Sequence, residues 1–164
     1  MPYKFLENLT LADVAFEARG KTLEGLFIST AQALAVTQVK SLRSIKPLIK
    51  KEIFISAIEL EELLFKFLDE LVFLKDKDLL IFSKFKLKIE KIQKKVLQKE
   101  RIKDGMKDGM KDKQIHYHLN CTAYGQKLNR KKHEMLVDVK AVTMHMFSVS
   151  KVPGGWMARV VLDV

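Results

Sequence analysis

The last two residues of the sequence place two anionic oxygen donors side by side. Asp163 precedes Val164, whose α-carboxylate ends the sequence, and the apolar run 160–162 before them can hold this end in a strand. Hard cations such as Ca²⁺, Mg²⁺ and Mn²⁺ prefer oxygen ligands of this kind. A cation site would need at least one more carboxylate, supplied by the fold. A solvated chain end explains the same two residues, so spacing leaves both interpretations open.

Other polar side chains have the right types for chemistry but lack the right neighbours. His116 and His118 stand two residues apart and would share one face of a strand. No Cys or third His stands at metal-ligand spacing, so a structural role is favoured. His133, Glu134 and Asp138 suit acid–base work, yet no nucleophile motif or Gly-rich phosphate loop accompanies them. The motifs therefore predict no catalytic site.

Composition and charge limit the class of protein. The chain has 164 residues, 48% of them hydrophobic and 30% charged, which is typical of one soluble globular domain. Its formal net charge of +10 favours acidic or phosphate-rich partners. Much of the excess lies in residues 81–113, where a solvated sheet face explains it at least as well as an RNA-binding groove. The single cysteine, Cys121, cannot form an internal disulfide. No signal peptide or membrane span is recognisable, so a cytoplasmic protein is expected.

Two segments have helical periodicity. Thr22 can cap a helix whose apolar residues run from Leu23 to Leu34, and Val36, Thr37 and Val39 weaken the pattern after that. Pro47 opposes continuation through residues 41–49. A second helix over residues 60–74 is apolar around much of its circumference, which predicts packing against both a sheet and the first helix.

The remaining segments alternate as strands do. Strands are predicted over residues 13–20, 52–57, 81–89, and about 115–124, 137–150 and 156–163. In residues 81–89, Ile81, Ser83, Phe85, Leu87 and Ile89 should form one face. A tandem Lys-Asp-Gly-Met repeat indicates a low-complexity loop at about 103–113, and residues 152–155 suit a hairpin. This order of elements predicts an α+β fold, with two helices packed on one face of a largely antiparallel sheet in a single domain over residues 1–164.

Several motifs, in the same order along nearly the whole chain, resemble the archease family. The tail carries VKAVTMH at residues 139–145 and GGWMARVVLDV at residues 154–164. The front carries YKFLE at residues 3–7, ADV at 12–14 and GKTLE at 20–24. Between them, LLFKFLDE at residues 63–70 is similar to the family's second helix. Tyr124-Gly125-Gln126 and His133 stand in the family's order before Lys140.

The resemblance implies a function and a set of site residues. Archeases are small α+β proteins that activate an RtcB-type RNA ligase, which transfers GMP from GTP to its own histidine before joining RNA ends. By this resemblance, Asp13, Asp163 and Val164 would hold a divalent metal ion, whether Ca²⁺, Mg²⁺ or Mn²⁺. Lys140 would face the partner protein or a phosphate group. His133 and His145 would lie behind the metal ligands and support them without contacting the metal ion.

The sequence departs from the family pattern in two places. The usual His-Thr-Ala-Asp is replaced by residues 8–13, NLTLAD, which lack the histidine, and Gln126 removes a family carboxylate. Both changes bear on activity more than on fold. Asn8 could partly substitute for the histidine as a polar group.

The resemblance, together with the lack of a catalytic motif, implies an accessory protein without catalysis of its own. It would promote guanylylation and repeated turnover of the ligase, meet RNA through that partner, and need no membrane. The alternative is a basic RNA-binding or chaperone-like module that acts without a ligase. A metal-dependent phosphohydrolase is a weaker rival, because no water-activating base or phosphate clamp stands at suitable spacing.

Overall fold

The computed structural model describes residues 2–7, 13–96 and 112–164, and contains two helices and seven strands. The strands are β1 (Tyr3–Leu6), β2 (Val14–Gly20), β3 (Ile49–Ala57), β4 (Leu80–Val96), β5 (Asp112–Lys127), β6 (Ala141–Val152) and β7 (Gly155–Asp163). The helices are α1 (Leu23–Gln38) and α2 (Leu60–Asp78), with a 3₁₀ turn at Leu42–Ser44. The predicted α+β class is confirmed. No helix among the described residues is long and apolar enough to cross a membrane.

The strands form two antiparallel sheets, whereas the sequence suggested one. A four-stranded sheet has the order β1-β2-β7-β6, and a three-stranded sheet has the order β3-β5-β4. Each helix contacts strands of both sheets. Periodicity shows which residues of a strand are buried, but only tertiary pairing decides which strands share a sheet, so one sheet was the wrong inference.

The core explains why both helices are so apolar. Phe27 of α1 stacks on Phe67 of α2, with ring centroids 6.1 Å apart, and Phe67 also meets Phe85 of β4 edge to face. Phe16 and Leu119, one from each sheet, are buried in the same cluster. As predicted, α2 packs against the first helix and against strands.

Helix α1 begins where the sequence predicts and ends later. The Thr22 hydroxyl accepts a hydrogen bond from the Gly25 amide at 3.0 Å, which is the predicted cap. The helix continues past Leu34 through Gln38, because Thr37 and Gln38 are buried and Thr37 Oγ1 donates to the Ala33 carbonyl. Tertiary burial here outweighs the weak helix propensity of β-branched residues.

Strand β4 departs from strict alternation. A β-bulge at Ser83 separates the pairs Phe82–Gly125 and Lys84–Tyr124. The extra residue puts Phe82 on the core side together with Phe85, while Ile81 packs in a smaller cluster with Val39 and Ile45. The predicted single face containing Ile81 and Ser83 is therefore wrong before the bulge and right after it.

Several element bounds also differ from the sequence prediction. Strand β1 was not predicted. Residues 137–140 precede β6, because the chain there bonds to the end of α1: the Leu136 amide donates to the Gln38 carbonyl at 2.9 Å. Of the predicted loop at 103–113, residues 103–111 lie outside the described residues, and β5 begins at Asp112.

Candidate metal centre

Strand β7 lies between β2 and β6, and its end carries the predicted donors. Val14 and Leu162 form the last pair of the β2–β7 ladder, so Asp13, in the bend just before β2, and Asp163 are the next residues outward. Residues opposite each other in such a pair have Cα atoms about 4.5–5.5 Å apart and side chains on the same face. The register therefore brings Asp13 to the end of the strand that carries Asp163 and Val164.

The direction of the Asp163 side chain follows from burial. Leu162 points into the core, so Asp163, the next residue along β7, projects from the opposite face, at the sheet end where Asp13 precedes β2. Asp163 is exposed and Asp13 is half-buried. The Val164 side chain packs against the core, which fixes the end of β7.

The donor set suits a hard cation. Carboxylates brought to one sheet end repel each other, and the α-carboxylate expected at Val164 would add to that repulsion. A divalent cation would relieve it, and carboxylate oxygens are the ligands that Ca²⁺ and Mg²⁺ prefer. Within residues 2–7, 13–96 and 112–164, no three side chains of His, Cys, Asp or Glu form a metal-binding group. The candidate centre thus depends on two side chains and Val164.

Lys140 lies on the other side of β7. Its backbone amide donates to the Asp163 carbonyl at 2.8 Å, and the following residue, Ala141, pairs with Asp163. The Lys140 side chain is exposed. Its cationic group therefore extends from the same sheet end as the carboxylates, where it can meet an anionic group of a partner.

His133 takes a different place from the predicted one. Its ring is buried, with Nδ1 accepting from the Asn129 amide at 2.9 Å and Nε2 lying 3.0 Å from the Ser44 carbonyl. Both ring nitrogens are therefore used in joining the segment before β6 to the 3₁₀ turn. These contacts give His133 a structural role instead of a connection to the metal ligands.

His145 is exposed in an irregular part of β6. The register with β7 shifts between Thr143 and Ser148, and Met146 has a φ of 54°. Met144 and Met146 are exposed beside the histidine. Asn8 to Ala12, where the family histidine is missing, lie outside the described residues.

The sequence analysis did not single out the buried lysine next to this site. Lys75 Nζ donates to Asp138 Oδ1 at 2.6 Å and to the Val139 carbonyl at 2.7 Å, immediately before Lys140. Burial by itself would lower the pKa of Lys75, but hydrogen bonds and attraction from Asp138 and Asp76 raise it above its ordinary value. The sequence signal was a lysine on the apolar stripe of α2.

Comparison with known proteins identifies the family. The family model described as the Archease protein family matches residues 3–164. A "Protein archease" of Pyrococcus furiosus is 35% identical over 154 residues, covering 93% of each chain. The one from Methanosarcina mazei is 28% identical over 162 residues, covering 99% of this chain and 95% of the relative.

Two solved structures share the fold. The solution structure of a Methanobacterium thermoautotrophicum protein superposes with a TM-score of 0.75 at 30% identity, over 99% of both chains. A Thermotoga maritima crystal structure, described as "an archease, possible chaperone", gives a TM-score of 0.55 at 16% identity, over 94% of this chain and 93% of that one. With a family model spanning almost every residue, and with relatives and structures matched end to end, this chain belongs to the archease family.

Proposed function

We propose that this chain is an accessory activator of an RtcB-type RNA ligase, promoting ligase guanylylation and multiple turnover without a catalytic site of its own. Family membership supports the class of protein. The observation that carries the site is the pairing of Val14 with Leu162, which brings Asp13 and Asp163 to one sheet end. The protein would work in the cytoplasm and meet RNA through the ligase.

In this proposal the metal ligands are Asp13, Asp163 and Val164. The ion, when bound, would supply positive charge against the triphosphate from which GMP is transferred. Val164 contributes by packing its side chain on the core, which holds its carboxylate in place. Lys140 contributes an exposed cation beside the site, suited to a phosphate or an acidic group of the ligase.

The first test removes one ligand charge without changing side-chain volume. Asp163→Asn should reduce stimulation of ligase guanylylation by this protein to the rate of the ligase alone, measured as labelled GMP on the ligase with Ca²⁺, Mg²⁺ or Mn²⁺ in turn. Asp69→Asn, an exposed carboxylate on α2, is the matched control and should stimulate normally. If the Asp163→Asn protein still stimulated the ligase fully, the proposed role of the metal ion in stimulation would be rejected.

A second test displaces a carboxylate and keeps every side chain. Two residues added after Val164 should abolish stimulation. Two residues added before Met1 should have no effect, because Pro2 bonds to Arg19 at the opposite end of β2 from Asp13. Equal activity of both extended proteins would contradict a role for the Val164 carboxylate.

A basic RNA-binding or chaperone-like module that needs no ligase is the alternative. It predicts that RNA binding or protection from aggregation is unchanged by Asp163→Asn and by the extension. Activity of that kind, together with no effect on ligase guanylylation, would favour the alternative.

A further inference from the structure

The three-stranded sheet turns one face away from the helices. Its inner face, including Ile53 and Cys121, is buried in the core. On each strand the alternate residues point outward, and the register aligns them in rows across the sheet. We call this surface the outer sheet face; it consists of Lys50, Glu52, Phe54 and Ser56 on β3, His118, Asn120, Thr122 and Tyr124 on β5, and Lys84, Lys86, Lys88 and Glu90 on β4.

Two aromatic rings lie on the outer sheet face. Phe54 is 71% exposed in the middle of β3, opposite Asn120, where a polar residue would be expected. Tyr124 lies on the central strand, and the Lys84 ammonium is 5.9 Å from its ring centroid. Neither ring is needed to close the core. Flat, solvent-facing rings on a sheet are surfaces on which nucleic-acid bases stack.

The lysines on this face are only partly neutralised. Lys50 pairs with Glu52 at 3.6 Å, and Lys88 pairs with Glu90 at 3.1 Å. Over the described part of the chain, Lys84 and Lys86 have no carboxylate within ion-pair distance. The face therefore keeps two uncompensated positive charges next to Tyr124, in a protein whose net charge is +10.

A basic groove continues the positive surface beyond β5. It has a volume of about 560 Å³, and its lining includes Lys127, Arg130 and Lys132. Ile49 and Gln126, which also line the groove, adjoin Lys50 and Tyr124 of the outer sheet face. Charge and stacking surface thus follow one path, from the groove across the sheet.

We infer that the outer sheet face, together with the basic groove, binds single-stranded RNA. Phosphates would contact Lys84, Lys86 and the groove, while unpaired bases stack on Phe54 and Tyr124. A duplex keeps its bases stacked internally and would leave both rings unused, and an acidic peptide without planar groups would use only the lysines. This direct contact goes beyond the proposed function, in which RNA is met through the ligase. The choice of RNA over DNA rests on the proposed function; the surface itself does not.

Salt dependence separates the lysine contacts from the general charge of the protein. Binding of a labelled, unstructured oligoribonucleotide of about 12 nucleotides is measured by fluorescence anisotropy over a range of salt concentrations. The double change Lys84→Gln and Lys86→Gln should flatten the plot of log K against log salt by about 1.4, from about 0.7 per phosphate contact. Lys77→Gln with Lys151→Gln removes the same charge from exposed lysines elsewhere and should leave the slope unchanged.

Stacking has its own matched pair. Phe54→Ala should weaken RNA binding about 5-fold or more, the equivalent of one lost base–aromatic stack. Phe73→Ala is the control, because Phe73 is 51% exposed on α2 with Lys77 at 5.7 Å from its ring. It offers the same chemistry on another element and should bind RNA normally.

Several results would overturn the inference. These are equal effects of the test and control variants, equal affinity for duplex RNA, or displacement of RNA by polyglutamate at equal concentration. Equal affinity for single-stranded DNA would overturn the choice of RNA. Guanylylation of the ligase uses no RNA, so the Lys84 and Lys86 variant should still stimulate it. If the wild-type protein bound RNA but did not stimulate guanylylation of the ligase, the proposed function would be rejected and the RNA-binding surface would still stand.

Discussion

Lys75 shows how a single buried charge can fix the chain beside a functional site. Its side chain is only 5% exposed, yet its ammonium is fully engaged by Asp76, Asp138 and the Val139 carbonyl. Buried charges are tolerated when they are paired and hydrogen-bonded in this way. The contact connects the last turns of α2 to the segment that leads into Lys140 and β6. Positioning of Lys140 is thereby linked to α2.

The Lys75 contacts predict a large stability effect from a conservative change. Lys75→Met should lower the free energy of unfolding by about 1.5–3 kcal/mol, because hydrogen bonds to a charged group are lost and the Val139 carbonyl loses its donor. Lys77→Met, on the exposed side of the same helix, should change it by less than about 0.5 kcal/mol. Urea unfolding of both variants is the measurement. Similar midpoints for the two would refute the role of Lys75.

The pH dependence of that difference has a definite sign. The raised pKa of Lys75 means that the folded state holds its proton more tightly than the unfolded state. The stabilisation is therefore fully present below the ordinary value of 10.5 and is lost as pH rises through the folded-state pKa. The gap between wild type and Lys75→Met should be the same at pH 7 and pH 9 and shrink above about pH 10.5.

Cys121, in contrast, is a buried group whose surroundings make it unreactive. Burial raises the pKa of its thiol to about 12, with Glu52 adding to the shift. It stays protonated at neutral pH and is enclosed in the core between the sheets and helices. A thiol in this state is neither a nucleophile nor a metal ligand. Its role is to pack.

Among the elements, the β4–β5 pair shows how a bulge and a glycine depend on each other. The bulge at Ser83 brings the β4 backbone close to Gly125, where an added Cβ would lie 1.9 Å from the Ile81 carbonyl oxygen. A backbone carbonyl in a strand cannot move aside as the end of a flexible side chain can. The glycine is therefore required for the close approach of the strands, and the bulge is what lets Phe82 and Phe85 enter one core.

Gly125→Ala should cost about 2–3 kcal/mol of stability, since β4 must move away from β5. Gly154→Ala is the comparison, because Gly154 has a φ of 84° with no atom within 4 Å of the added Cβ. The Gly154→Ala protein should lose only about 1 kcal/mol of stability, because alanine disfavours the left-handed backbone conformation. Urea midpoints for both variants test this, and a Gly125 variant no less stable than the Gly154 variant would contradict it.

Across the whole molecule, the candidate metal centre joins distant parts of the chain. Asp13 precedes the second strand, Asp163 ends the last one, and Val164 follows it. An ion held between them would bind the folded state and not the unfolded chain, in which these residues are far apart. Metal binding and global stability should therefore be coupled.

Saturating metal should raise the melting temperature. At about 100 times its dissociation constant, the ion would add about 2.7 kcal/mol, or roughly 5–10 °C for a chain of this size. Melting is followed by circular dichroism in EDTA and then with Ca²⁺, Mg²⁺ or Mn²⁺. Asp163→Asn should show no shift and Asp69→Asn a normal one. The absence of a shift with all three ions would reject the site.

The sequence by itself determined the features that depend on neighbours along the chain. The Thr22 cap, the apolar stripe of α2, the hairpin before β7 and the α+β order all follow from local spacing and residue type. The family motifs named the same residues that β2 and β7 bring to one sheet end. Even Phe54 was detectable, since it breaks the alternation of Ile53, Ile55 and Ala57 in β3.

Only the tertiary structure decided what depends on contacts between distant residues. The bulge at Ser83, the place of His133 against the 3₁₀ turn and the contacts of Lys75 with Asp138 and Val139 all arise between residues more than 30 positions apart. The division into two sheets likewise depends on which strands meet in the fold. A hydrophobic repeat of two or 3.6 residues shows which side of a strand or helix is buried, but not which other element packs against that side. For that physical reason, the register of β2 against β7 had to come from the fold.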